Sequence, residues 1–200
     1  MTKPGDRMNY PEPLRALIPE GAEMELSAGE PQASMREALA RFDLAAAIAP
    51  RQLADLSLAD ACRSGLWLAH HFLDESHAIS QGIETPTGSF WHAIMHHREG
   101  DFDNACYWFR RVRSHEIYPV LQRAAAECDA TASTVNDRAL ARLTQGSTWD
   151  PAAFVEVVRA VVAGRASENT AMICRQIARR EWELLLDYCY RGAVGQNVNK

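Results

Sequence analysis

All seven histidines of this 200-residue chain fall between positions 70 and 115: His70, His71, His77, His92, His96, His97 and His115. The same stretch carries Asp74, Glu75, Glu84, Glu99, Asp101 and Asp103, and Trp67, Trp91 and Trp108 lie in or beside it. Imidazoles and carboxylates are the groups that bind divalent transition metals and that gain or lose protons near neutral pH. Their spacing sharpens the point. If 57–80 is one helix, then at 100° per residue His70, Asp74 and His77 fall at about 0°, 40° and −20°, on a single face. His92, His96 and Glu99 repeat that arrangement on the next helix. Leu66 and Leu73 border the first polar stripe and Trp91 and Met95 the second, so both stripes are predicted to look inward.

Two chemistries follow from such a pair of stripes. One is a divalent metal site drawn from His70, Asp74, His77, His92, His96 and Glu99, in which Asp74-x-x-His77 has the acid-x-x-His form used by carboxylate-bridged helical bundles. A second acid-x-x-His pair and matching acids on the later helices are missing. The other is a small-molecule pocket with Trp67, Trp91, Tyr107 and Trp108 as an aromatic wall. Its polar groups would come from His70, Asp74, His77, Glu84, His92, His96, Arg98, Glu99 and Arg110. The plainer alternative is that these groups hydrogen-bond one another across a helix interface, with His71, His97 and His115 exposed. No G-x-S-x-G elbow, glycine-rich phosphate loop or H-E-x-x-H motif is present.

The elements that must position these residues are helices, because apolar residues recur at helical spacing from Ser34 onward and almost never alternate. Ser34 with Glu37 predicts a capped helix over 35–49, closed by Pro50. Ser57 with Asp60 predicts a long helix from 57 to between 77 and 80. The breaker-rich segment 82–88 reads as an ordered loop that should bring Glu84 near His77 or His92, and Ser89 as the cap of a helix ending at Glu99. Gly100-Asp101 is a tight turn into a helix over 102–113. Further helices are expected over 117–129, 135–143, 150–163 and 167–191, the third with Asp150 at the cap, Pro151 at the first helical position and Gly164 past the end. Residues 1–12 and 193–200 lack periodicity and are expected to be mobile.

The run Gly100-Asp101-Phe102-x-x-Ala105-x-x-x-Phe109-x-x-Val112 resembles the second half of a tetratricopeptide repeat, with Ala93 at the small position of the first helix. The resemblance implies a helical hairpin over about 89–113, and it puts Ser89, His92 and His96 where the repeat usually has large apolar residues. It covers one hairpin and has no second copy. The longer string Asp74-Glu75-Ser76-His77-x-Ile79-Ser80-Gln81-x-Ile83-Glu84-Thr85-Pro86-Thr87-Gly88-Ser89-Phe90-Trp91-His92-Ala93-Ile94-Met95-His96-x-Arg98-Glu99 resembles a family of uncharacterised bacterial and fungal proteins, which implies no activity.

Composition bounds the rest. With 47% apolar and 24% charged residues and a formal charge of −5, the chain reads as one all-α, compact, single-domain multi-helix bundle over 1–200. It lacks the basic field expected for nucleic acid or an anionic membrane. No signal-peptide core is visible, and five widely spaced cysteines without a CxxC pair read as reduced thiols, so a cytoplasmic location is expected. The functional expectation is a small-ligand or metal-binding helical protein with its site in 70–110, an enzymatic role being left open. The alternative is a non-catalytic, tetratricopeptide-like interaction module.

Overall fold

A computed structural model describes residues 9–131 and 137–196, and these form an all-α protein with no strand among them. The helices are α1 (Glu12–Arg15), α2 (Arg36–Arg41), α3 (Leu44–Ile48), α4 (Leu56–Ala69), α5 (Leu73–Ser80), α6 (Pro86–Glu99), α7 (Phe102–Val112), α8 (Tyr118–Thr131), α9 (Arg138–Thr144), α10 (Pro151–Val162) and α11 (Glu168–Ala193). No helix among the described residues is long and apolar enough to cross a membrane.

The core forms where α4, α6 and α11 meet. Small residues let them approach: a Cβ on Gly65 would lie 2.6 Å from the Trp91 ring, and one on Gly192 would lie 2.2 Å from Leu58. Trp182 donates its indole N–H to the Gly65 carbonyl at 2.7 Å, and Trp91 donates to the Cys189 sulfur at 3.4 Å. α6 packs against α4, α5 and α7 and is buried on every side from Thr87 to Arg98. A fully enclosed helix is normally apolar all round. This one encloses Thr87, Ser89, His92, His96, His97 and Arg98, so each polar group needs a partner from a neighbouring element.

Several element boundaries differ from the sequence expectation, and each has a local cause. The predicted helix over 57–80 is two helices. α4 ends in a Schellman turn, with Phe72 N–H bonded to the Trp67 carbonyl and His71 N–H to that of Leu68. The left-handed residue such a turn needs is His71, at φ 66°, in place of the usual glycine. The start of α4 is capped by Asp55, which accepts from Leu58 N–H, and not by Ser57. The predicted helix over 35–49 is also divided: a 3₁₀ turn (Ala33–Met35) leads into α2, and Asp43 caps α3 by accepting from Ala45 and Ala46. α6 begins at Pro86 under a Thr85 cap, so 86–88 are helical and Ser89 is no cap. Gly88 sits inside that first turn, where a Cβ would lie 2.2 Å from the Ile83 carbonyl.

The C-terminal helices follow expectation more closely. Asp150 caps α10 and Gly164, at φ 67°, follows its end. α9 starts after Asp137; the expected 135–136 lie outside the described residues. The ends expected to be mobile are partly packed: Tyr10 meets Tyr190 edge-on at 5.0 Å, and Ala193 is buried. Residues 1–8 and 197–200 lie outside the described residues. Sequence periodicity also overlooked residues 9–32, where Leu14, Leu17, Met24 and Leu26 are buried against the core. Cys62, Cys174 and Cys189 are buried thiols, and Cys106 and Cys128 are half-buried.

One core group sets a pH limit on stability. Glu181 on α11 is fully buried, one of its oxygens has no hydrogen-bond partner, and burial pushes its carboxyl up to about 8. An acid held neutral in the fold but ionised in the unfolded chain costs nothing below the unfolded value of about 4.3, and costs increasingly up to about pH 8. Glu181→Gln is therefore expected to stabilise the protein by a few kcal/mol at pH 9 and by far less at pH 5, in urea unfolding. A difference between variant and wild type that is the same at both pH values would contradict this.

Candidate functional site

Of the two predicted stripes, the structure brings together His77, His92, His96 and Glu99. His77 stands in the last turn of α5, and His92 and His96 lie one turn apart on α6. The short connection at 81–85 folds α6 back against α5, and the absent side chain of Gly88 allows that approach. The ring centroids are 4.7 Å apart for His77 and His92, 5.5 Å for His77 and His96, and 4.7 Å for His92 and His96. One nitrogen from each of the three rings lies within 4.8 Å of the others. His92 and His96 are buried while His77 is half-buried, so the group has an inner side and an open side.

The neighbours of His96 define its tautomer. A carboxylate can only accept, so Nδ1–H of His96 donates to Oε1 of Glu99 at 2.7 Å. Nε2 then carries the lone pair, and the side-chain amide of Asn104 on α7 donates to it at 3.0 Å. A carboxylate behind an imidazole, with the far nitrogen left basic, is the arrangement that orients a metal-ligating histidine. His92 is stacked on Trp108 of α7 at 4.1 Å, with 19° between the planes. Its Nδ1 is buried with no hydrogen-bond partner among the described residues. Burial, and then the nearby His96 and His77, hold its imidazole down at about 4, so it is neutral at pH 7.

The remaining predicted site residues lie elsewhere, His70 for one cause and the residues of α6 for another. Because α4 ends at residue 69, His70 leaves the face of His77: its ring bonds the Leu17 carbonyl at 2.8 Å and the Gln32 side chain at 2.7 Å, fastening the N-terminal segment. Asp74, in the first turn of α5, is exposed and its side chain makes no hydrogen bond or ion pair with a described residue. Glu84 is likewise exposed and reaches neither His77 nor His92. The second cause is the angular position around α6. Trp91 points into the α4 and α11 core, and Arg98, six residues and so about 120° round from His92, also leaves the face of the three histidines. There Arg98 donates Nε–H to the Ser27 carbonyl at 2.7 Å and Nη2 to His71 Nδ1 at 2.9 Å. Burial lowers this guanidinium to about 10, so it stays charged at neutral pH.

Two histidines expected on the surface are buried. His97 sits between Phe102 and Phe154, each 5.8 Å away, and desolvation lowers it to about 3. His115 faces Thr87 Oγ1 at 3.2 Å and is lowered by burial to about 4. Sequence reasoning missed Asn104, whose signal was available: eight residues separate it from His96, across a two-residue turn that sets the facing register of α6 and α7. It also set aside Asp101, which caps α7 and whose carboxylate lies within 4.8 Å of His96 and Glu99 ligand atoms.

No protein-family model matches the chain, and no curated protein or solved structure matches it either. Both resemblances noted in the sequence rest on their own residues.

His92, His97 and His115 are each held below the unfolded value of about 6.5, so their neutral burial supports the fold above that pH and the support is lost as pH falls toward 4. Histidine side-chain NMR is expected to show the His92, His97 and His115 rings still neutral at about pH 5.5. Three rings that all titrate near 6.5 would contradict the burial described here.

Proposed function

We propose that this chain binds one divalent transition-metal ion through His77, His92 and His96, with Glu99 holding His96 in its ligating tautomer. The observation that carries the reading is the convergence of three imidazole nitrogens within 4.8 Å, one of the rings having a buried nitrogen with no partner. Three neutral imidazoles suit zinc, copper, nickel or iron over magnesium or calcium, which prefer oxygen. A site with three protein ligands leaves a further position for water or substrate, as catalytic zinc sites do and structural ones do not. The half-exposed side at His77 supports that opening. A bound ion there would supply Lewis-acid polarisation of a water or carbonyl. The chain's own residues would contribute the apolar wall of Trp108, the Glu99 carboxylate that raises the basicity of His96, and the Asn104 amide, which must turn from Nε2 for that nitrogen to bind an ion.

A second reading, a docking platform on the α6–α7 hairpin, is supported by Ala93 and Ala105 at its helix contact and by Tyr107, which is 47% exposed on its outer side. It would not need the three rings to converge.

The test is metal content and titration calorimetry with Zn²⁺ on protein made without a histidine tag. One ion per chain is expected, with His92→Ala or His96→Ala weakening binding about 100-fold or more, Glu99→Gln by about 10- to 100-fold, and His70→Ala hardly at all. Absence of stoichiometric binding, or equal losses for the His70 and His92 variants, would overturn the reading.

A further inference from the structure

At the other end of α6 lies a cleft of about 300 Å³ that shares no residue with the three-histidine group. It forms where the first turns of α4 and α6 meet the loop after α7 and the side of α11. Its floor is His115, which is 8% exposed, with the Tyr188 ring 4.6 Å away. The polar groups of the floor are joined. His115 Nδ1 faces Ile117 N–H at 3.4 Å as an acceptor, which leaves the proton on Nε2 to be donated to Thr87 Oγ1 at 3.2 Å. The Tyr188 phenol lies near Thr87 and the Glu116 carboxylate. Arg113, just before this loop, is held at φ 60° and ψ −77°, outside the regions that L-residues favour.

The charge around this cleft is one-sided. Asp55 and Glu116 line it, both exposed, and no lysine or arginine does among the described residues. The N-termini of α4 and α6 oppose this with about half a positive charge each, roughly +1 against −2, so the cleft keeps a net negative field. Asp55 is also the cap of α4, so most of the free acidity is that of Glu116. An anion would be repelled. A small cation would meet a carboxylate, the hydroxyl of Ser57 as an acceptor, and the side chain of Tyr188.

We infer that this cleft is a second binding site, for a small organic ammonium compound, with Glu116 as its charge partner and Tyr188 as its wall. The size suits a ligand of this kind, being at the lower end of the range for small-molecule pockets. The inference does not depend on metal binding at His77, His92 and His96.

The test uses n-butylamine as the probe, with 1-butanol and butyrate for comparison, in NMR titrations of the whole chain kept in a chelator. Butylamine is expected to give saturable shifts confined to 55–58, 85–88 and 114–117 and to the His115 ring, leaving the His77, His92 and His96 rings unmoved. The alcohol should bind about fivefold more weakly or worse, and butyrate not at all. Glu116→Gln, on an exposed side chain, should weaken the amine about fivefold. Non-saturating shifts at tens of millimolar, equal binding of amine and alcohol, or full binding to Glu116→Gln would each overturn the inference.

Discussion

The arrangement of this protein depends on enclosing a polar helix. α6 is surrounded from Thr87 to Arg98, yet it carries hydroxyls, three imidazoles and a guanidinium. A buried polar group without a partner costs on the order of 1–3 kcal/mol, and a charged one more. Those costs explain why the neighbouring elements sit where they do. Arg98 is met by the Ser27 carbonyl and His71, which draws the N-terminal segment across one side of the helix. His96 is met by Glu99 on its own helix and by Asn104 from α7. Thr87 is met by His115 from the following loop.

Against that background two α6 imidazoles, like Arg98 Nη1, keep a buried nitrogen with no hydrogen-bond partner among the described residues: His97, enclosed between Phe102 and Phe154, and His92, whose surroundings differ. It is as buried as its neighbours, it is stacked on Trp108, and its Nδ1 has no hydrogen-bond partner among the described residues. Its nearest ionisable neighbours are two further imidazoles, which repel a second proton and favour a shared Lewis acid. A histidine that serves only the fold has carbonyl partners, as His70 has in Leu17 and Gln32, or an apolar enclosure, as His97 has between Phe102 and Phe154. The contrast between His70 and His92 is the physical basis for separating a structural histidine from a candidate ligand.

Helical content, the α6–α7 hairpin and the inward register of His92 and His96 were all legible in the sequence, because periodicity and the Gly100-Asp101 turn carry them. So were Asp150, Pro151 and Gly164 as the ends of α10. The end of α4 was not. Of the left-handed helix ends, those at Gly100 and Gly164 are announced by glycine, whereas the one after α4 is made by His71, whose strained backbone is offset by the hydrogen bond its Nδ1 accepts from Arg98. That single hidden turn removed His70 from the face of His77. Angular arithmetic on α6 was available and would have excluded Arg98 and Trp91, since neither shares the face of His92. Asn104 needed the facing register of two helices, which the two-residue turn at Gly100-Asp101 implies. The N-terminal segment escaped detection because its buried residues, Leu14, Leu17, Met24 and Leu26, are held by tertiary contacts without a regular period.

The central claim is that three imidazoles share one ion and leave it an open position. Visible absorption of the protein loaded with Co²⁺ tests this most directly, because four-coordinate cobalt absorbs far more strongly than the six-coordinate aqueous ion. The account predicts an intense four-coordinate spectrum at one equivalent, perturbed by added azide at the open position and lost in His92→Ala. A weak spectrum unchanged from aqueous Co²⁺, or an intense one that survives in His92→Ala, would contradict it.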